Sequence, residues 1–310
     1  MIAVVVMAHG APRDHDDIEA YYTDIRGGRP PTPELQSELV RRYDAIGGRS
    51  PLAERTSAQG DAMQKALDAM APGTFEVVVA FKHSTPRIED TIGALGARGI
   101  DRAIGIVMAP HWSPASVGTY HDRAHIAATG IGIDYAAVER WHLEPSYVAF
   151  LADAVTDGLA ALPARSKVVF TAHSLPLHAV TGLDDPYPVA LHETAVAVAI
   201  RAGLTPWASS CVAFQSAGRT SEPWLGPDLR TVVTDLAPAE GASGVLVCPC
   251  GFVADNLEIL YDLDLDLRRY AESLGLAFAR TPAVNDDATV MGGLAQLVVE
   301  RAGQDGVGGR

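Results

Sequence analysis

Ile2-Ala3-Val4-Val5-Val6-Met7-Ala8-His9-Gly10-Ala11-Pro12 is a seven-residue apolar run that stops abruptly at histidine, glycine and proline. A strand with one wet face alternates apolar and polar residues, whereas an unbroken run marks a strand covered on both faces, as in parallel sheets flanked by helices. The pattern returns at Lys167-Val168-Val169-Phe170-Thr171-Ala172-His173-Ser174-Leu175-Pro176, where a short apolar segment again runs into a polar turn. Further runs of this kind are Phe75–Phe81, Ala103–Met108, Ala208–Phe214 and Gly244–Cys248. Helical spacing occupies the intervals Pro33–Ile46, Leu52–Met70, Arg87–Ala97, Tyr147–Ala161, Pro188–Ala202 and Val290–Arg301, with helix starts at Thr32-Pro33 and Ser50-Pro51. This alternation predicts an α/β fold made of two similar doubly wound, Rossmann-like parallel-sheet halves. The halves, residues 1–144 and 145–310, are expected to meet near Trp141–Pro145, where a strand-like stretch ends and a new helix begins, with a cleft between them as the default ligand site. The end Gly303–Arg310 reads as frayed.

The composition narrows the function. The chain has 310 residues, 48% hydrophobic, which is ample for a core and rules out general disorder. Its formal charge of −14 and lack of a basic stripe argue against nucleic acid or an anionic membrane as partner. The longest apolar run is far short of the roughly 18 residues of a membrane span, and no basic stretch precedes it, so the expectation is a cytoplasmic protein. Three cysteines are too few for a disulfide framework. The Gly-rich dinucleotide fingerprint and the P-loop are both absent.

Function in open α/β sheets gathers at the carboxyl ends of strands. Three such ends carry histidine: His9, His111 and His173. One alone reads as a hydrogen-bonded structural residue; three in one topological position suggest ligation or proton transfer. The loop Gln215–Asp228, with its prolines, glycines and Trp224, reads as a rigid lip. After the sixth strand, Glu258, Asp262 and Asp266 would share one face of a helix. That row reads first as a solvated acidic face and alternatively as a path for a divalent cation. Strict Leu/Asp alternation from Asp262 to Leu267 also permits a strand there. A histidine at one strand end and a glutamate at the start of that helix would form an open metal site, suited to catalysis or hand-off rather than to structural caging.

Taken in order, Met7–Pro12, Tyr21–Arg26, Arg42–Leu52, Ala172–Pro176, Asp185–Pro188, Pro223–Asp228 and Gly251–Asp264 resemble the ferrochelatases over nearly the whole chain, most of all the bacterial coproporphyrin III branch. The resemblance implies insertion of Fe(II), as substrate, into a free-base porphyrin held in a cleft between the halves, with no organic cofactor. It places the family's catalytic and metal-site pair on His173 and Glu258, continues the acidic metal row through Asp262 and Asp266, and sets the macrocycle and its propionates near His9, Arg26, Arg42, Tyr43, Ser50 and Tyr120. It makes residues 1–144 the propionate side and 145–310 the metal side, with the C-terminal helix able to pack back on the first half. A downstream haem-pathway enzyme is the implied taker of the product. Protoporphyrin IX is the alternative substrate. A metalloporphyrin-binding relative without turnover, using His9 as axial ligand, is the alternative from another class.

Two positions depart from the family pattern. His9 stands where relatives usually have Tyr, and histidine is the stronger ligand for haem iron. Asn256 stands where a His is usual, and Asn cannot act as a base. Cys211, Cys248 and Cys250 are one thiolate short of the four that hold the [2Fe–2S] cluster of some relatives, so no cluster is expected.

Overall fold

The computed structural model describes residues 1–180, 185–205, 208–218, 220–239 and 241–304. The end beyond Gln304, expected to fray, and Arg219 in the expected lip lie outside these residues. Strands β1 (Ile2–Ala8), β2 (Phe75–Phe81), β3 (Arg102–Val107) and β4 (Asp134–Val138) form one parallel sheet in the order β2-β1-β3-β4. Strands β5 (Ser166–His173), β6 (Ser210–Gln215), β7 (Gly244–Cys248) and β8 (Ala277–Arg280) form another in the order β6-β5-β7-β8. The two orders are the same topology used twice. Each reverses direction beside its first strand, between β1 and β3 and between β5 and β7, and a doubly wound sheet opens its ligand crevice at such a reversal.

The six predicted strands all form, with ends shifted by a few residues. Two more form: β4, the strand-like stretch that ends ahead of Trp141, and β8, which was not anticipated. Both are short edge strands, five and four residues long, with a charged end at Asp134 and Arg280, so neither shows the apolar run that announced the other strands.

Helices α1 (Ile18–Ile25), α2 (Pro33–Ala45), α3 (Leu52–Met70), α4 (Ile88–Ala97), α5 (Thr119–Thr129), α6 (Pro145–Ala160), α7 (Pro186–Arg201), α8 (Leu229–Ala239), α9 (Arg268–Ser273) and α10 (Ala288–Gln304) connect and cover the sheets. Thr32 begins α2 as expected, its hydroxyl accepting from the Leu35 amide at 3.4 Å with Pro33 in the first turn. Helices α1, α5, α8 and α9 were not anticipated; α5 and α9 lack a regular apolar stripe, but Ile18, Tyr21, Tyr22 and Ile25 of α1 and Leu229, Val232, Val233 and Leu236 of α8 do stand at helical spacing. Glu258–Leu267 is neither α-helix nor strand but a wider π-helix. Ile259, Leu263 and Leu267 face its core side, so the Leu/Asp alternation does not reflect a pleat.

The principal core lies between the two sheets. Val4, Ile104 and Ile106 of the first sheet and Phe170 and Leu246 of the second share one apolar cluster with Met63, Tyr147, Leu191 and Leu294 of α3, α6, α7 and α10. Separate clusters cover the outer faces, around Ile88 and Ile92 on the first sheet and around Val233 and Ile259 on the second. Helix α10 closes the fold against α3, and its end is held to the first sheet where Arg102 donates to the Ala302 carbonyl at 2.8 Å and Arg301 to the Ala137 carbonyl at 3.3 Å. Among the described residues, no helix is long and apolar enough to cross a membrane.

Candidate functional site

The carboxyl ends of β1, β3, β5 and β7 converge on a cavity of about 480 Å3, within the usual range for a small-molecule site. Its first-sheet wall is made by the turn after β1. Gly10 has φ +90°, and a Cβ there would lie 2.3 Å from the Ser84 hydroxyl, so glycine alone permits the turn that presents His9 to the cavity. The β1–β2 pairing continues past the strand ends: the Lys82 amide donates to the Ala8 carbonyl and the His83 amide to the His9 carbonyl, each at 3.0 Å. That extension sets the His83 ring 4.6 Å from the His9 ring. Although open to the cavity's water, His9 is surrounded by protein, and this burial, with His83 and Lys82 nearby, pushes its pKa down to about 4 against the pull of Glu258.

The second-sheet wall has the opposite electrostatics. His173 ends β5, with its Nδ1–H donating to the Ser174 carbonyl and its Nε2 3.2 Å from Glu258. Its own carbonyl accepts from the Tyr187 hydroxyl at 2.7 Å, and the Ser174 amide donates to the Gln215 carbonyl at 2.7 Å. Burial works against charging this ring, but Glu258, the Ser174 carbonyl and Asp262 together outweigh it and raise the pKa to about 8. Burial likewise opposes ionisation of Glu258, yet His173, His9 and Arg42 hold its carboxyl below the usual range. At neutral pH the pair is therefore an imidazolium beside a carboxylate.

Glu258 reaches this wall because of the loop before it. The Gly251 amide donates to the Thr171 carbonyl at 2.9 Å, and a Cβ on Gly251 would come within 2.7 Å of the Ala172 backbone. Asn256, the residue that departs from the family pattern, caps the π-helix: its side-chain oxygen accepts from the Ile259 amide at 3.0 Å. Gln59 of α3 donates to the Val253 and Asn285 carbonyls at 3.1 and 3.0 Å, so the first half braces the loop that carries Glu258.

The remaining sequence candidates divide. Tyr43, Ser50 and Tyr120 line the cavity, and the Ser50 hydroxyl also accepts from the Leu52 amide at 3.3 Å, the dual role that its place before Pro51 allows. Arg42 lines it too, but its guanidinium is paired with Asp262 and lies 5.0 Å from the Tyr261 ring centre. Arg26 is not part of the lining; it sits over Tyr22, which is, at 5.7 Å. The acidic row is spread out: Asp262 accepts from Arg42 and from Ser216 at 2.7 Å, while Asp266, 61% exposed, pairs with Arg230 at 3.1 Å. Among the described residues no three His, Cys, Asp or Glu side chains are grouped to hold a metal ion. Trp224 does not reach the cavity either; it packs against Gly218 and donates to the Thr220 hydroxyl at 2.9 Å, while Leu175 and Phe252 form that part of the wall.

His111 is a lining residue with a structural bond: its Nε2 is 2.9 Å from the Thr194 hydroxyl, whose proton serves the carbonyls of Ala190 and His142. Cys248 and Cys250 are buried in the central core, whereas Cys211 belongs to the outer face of the second sheet. Sequence reasoning missed Lys82 and Tyr21. Lys82 lines the cavity, donates to the Thr119 hydroxyl at 2.7 Å and lies 4.9 Å from the Tyr120 ring centre. Its place just after β2 was the available signal. Tyr21 bonds to the turn after β1; its place at the head of the Tyr21–Arg26 stretch that carries the resemblance was the available signal.

Twin parallel sheets with a histidine at matching strand ends, opening onto one cavity, make this a two-sheet α/β protein with a shared site between its strand ends. Solved structures share this fold: SirB from Bacillus subtilis with Fe3+ superposes with a TM-score of 0.57 at 12% identity, covering 98% of this chain and 97% of that one. CbiX, the terminal enzyme for siroheme biosynthesis in denitrifying bacteria, gives 0.55 at 14% identity, covering 96% and 98%. The ferrochelatase family model matches residues 1–302. The coproporphyrin III ferrochelatase of Halalkalibacterium halodurans is 40% identical over 97% of both chains, and that of Bacillus subtilis 38% identical over 98% of both. The chain belongs to the ferrochelatase family.

Proposed function

We infer that the protein inserts Fe(II) into coproporphyrin III, giving iron coproporphyrin III in haem biosynthesis. The observation that carries this reading is the His173–Glu258 pair on the wall of the cavity, in a chain whose relatives bear that activity in their names. Fe(II) is a substrate, and no organic cofactor enters the reaction.

His173 and Glu258 take the catalytic and metal-site roles. A divalent cation arriving beside Glu258 repels the proton on His173, which leaves as the ion binds, so the imidazole becomes neutral when it is needed. The neutral ring then takes a proton from a pyrrole nitrogen as iron moves from the wall to the macrocycle. Each turnover exchanges the two inner N–H protons for one Fe(II), and both protons pass to water. Asp262 and Asp266 serve the approach of the ion only by giving up Arg42 and Arg230. Tyr43, Ser50, Tyr120, Arg42 and Arg26 would seat the macrocycle and its propionates, with residues 1–144 as the propionate side and 145–310 as the metal side. Lys82 and Arg42 at the cavity favour the more carboxylate-rich coproporphyrin over protoporphyrin IX. In this reading the protein works in the cytoplasm and yields its product to a downstream haem-pathway enzyme.

Anaerobic absorption spectroscopy with Fe(II) tests it. Loss of the free-base bands of coproporphyrin III through many turnovers, slower with protoporphyrin IX and abolished by His173→Ala, is the expected result. Stoichiometric binding of both porphyrins without turnover would overturn it.

A further inference from the structure

The loop between β7 and the π-helix carries Glu258 to the cavity, and a residue outside that loop holds it from several sides. Asn285 lies in the turn between β8 and α10 and commits every polar group it has. Its amide donates to the Val253 carbonyl at 2.8 Å, and its own carbonyl accepts from Gln59 at 3.0 Å. Its side-chain oxygen accepts from the Asp255 amide at 3.0 Å, and its side-chain nitrogen donates to the Asp255 carboxylate at 2.9 Å. The orientation of the side-chain amide is fixed by these partners, since a backbone N–H can only donate and the carboxylate accepts. Asn285 reaches this arrangement at φ +48°, a left-handed conformation that is costly for most side chains and tolerated by asparagine.

Arg280, at the end of β8, backs the pair. Its fork meets the carboxylate of Asp264, on the π-helix, at 2.8 and 2.9 Å, and lies 3.6 Å from Asp255 Oδ1. That oxygen is buried and accepts no hydrogen bond, so Arg280 offers Asp255 charge while Asn285 supplies the directional contacts. From Asp255 the constraint passes straight into the site. Asn256 follows it, with its side-chain oxygen accepting from the Ile259 amide and its carbonyl from the Leu260 amide, each at 3.0 Å. Glu258 stands in the turn closed by these two bonds, 3.2 Å from His173 Nε2.

We propose that Asn285 is a positioning residue for Glu258: its side-chain pair with Asp255 sets where the carboxylate meets the entering Fe(II). Asn285 is not part of the cavity lining, so it acts through the loop and not on either substrate. The proposal rests on Glu258 being a metal-site residue. Because the Asn285 carbonyl also holds Gln59 of α3, the same residue registers the metal wall against the half that seats the macrocycle. Misplacing a reacting group by about 1 Å costs on the order of 10²-fold in rate.

Asn285→Gly tests this in the full chain, because it keeps the left-handed backbone and both main-chain bonds and removes only the side-chain pair. KM for Fe(II) in the metallation of coproporphyrin III is expected to rise about tenfold, as for a lost charged hydrogen bond, with KM for the porphyrin within about twofold of wild type. Asn285→Asp sets two carboxylates face to face and is expected to cost more. Adding Asp255→Asn to it restores a donor–acceptor pair with the roles exchanged and is expected to recover most of the loss. Asp287→Ala is the control for general loosening: it removes the cap of α10, where the carboxylate accepts from the Thr289 and Val290 amides at 3.0 Å each, and should lower Tm while leaving KM for Fe(II) unchanged. Crystal structures of wild type and Asn285→Gly read the placement without turnover, and Glu258 is expected to leave its 3.2 Å contact with His173 in the variant. If circular dichroism shows Asn285→Gly unfolded, Asp255→Ala removes the same pair from the other side and takes its place. An unchanged KM for Fe(II), an equal rise in Asp287→Ala, no recovery in the exchanged pair, or a Glu258 that keeps its place in the variant overturns the positioning role. Wild-type metallation with an unaffected Asn285→Gly sinks this inference alone. A wild-type chain that metallates neither porphyrin sinks the proposed function, and the two crystal structures then decide the positioning role by themselves.

Discussion

His9 and His173 occupy the same place in two copies of one topology, yet their surroundings drive them in opposite directions. Each stands at the carboxyl end of the strand beside which its sheet reverses, and each lines the same cavity. The first lies among His83, Lys82 and Tyr21 and is held neutral, with its pKa near 4; the second faces Glu258 and is held charged, with its pKa near 8. A shared backbone therefore sets where a side chain stands, and the neighbours brought in by other segments set what it can do. A neutral imidazole with a lone pair is a ligand, and an imidazolium paired with a carboxylate is a proton store that an arriving cation discharges.

If this contrast is functional, removing the charged member does the most damage. His173→Ala is expected to lower the metallation rate by about 10²–10⁴-fold, the span typical of a lost acid–base group, measured from the free-base bands. A rate within a factor of a few of wild type would end the assignment of His173. Next in size is Arg42→Ala, which removes the partner of Asp262 and leaves that carboxylate beside Glu258. KM for coproporphyrin III should rise roughly tenfold, as for a lost charged hydrogen bond, with a smaller change in kcat.

Smaller effects probe how each wall is built. Gly251→Ala would push the loop of Glu258 off the Ala172 backbone at a cost of about 1–3 kcal/mol, seen as a lowered Tm. The two histidines also predict opposite slopes of stability against pH. His173 binds its proton more tightly folded than unfolded, so its contribution is full below about 6.5 and is lost as pH rises through 8. His9 is depressed, so its contribution is full above about 6.5 and is lost as pH falls towards 4. Denaturant titrations of His173→Gln and His9→Gln should each flatten only its own limb. The least consequential change is Trp224→Ala. Because Leu175 and Phe252 form the wall, the resonance Raman markers of macrocycle distortion should match wild type, and a changed spectrum would return the lip to the site.

Much of this was legible in the chain. The unbroken apolar runs announce the inner strands because burial on both faces leaves no room for alternation, and the histidines stand at their ends for anyone reading outward from them. Strands β4 and β8 were less legible, since they are five and four residues long and each has a charged end, Asp134 or Arg280, whereas the other two edge strands, β2 and β6, carry apolar runs that showed. Likewise, the i, i+4, i+8 row from Glu258 suggested a shared acidic face, but each carboxylate found a different environment: Glu258 by His173, Asp262 by Arg42, Asp266 by Arg230.

Local patterning is enough to specify which segments are strands, which are helices, and which polar residues fall at their junctions, because periodicity and turn chemistry act over a few residues. The charge states of His173 and His9 and the pairing of Arg42 with Asp262 depend on groups far apart in the chain, 220 residues in the last case. Burial and Coulomb interaction act through space, so those properties came into being only when packing of the two sheets around a common core brought the groups together.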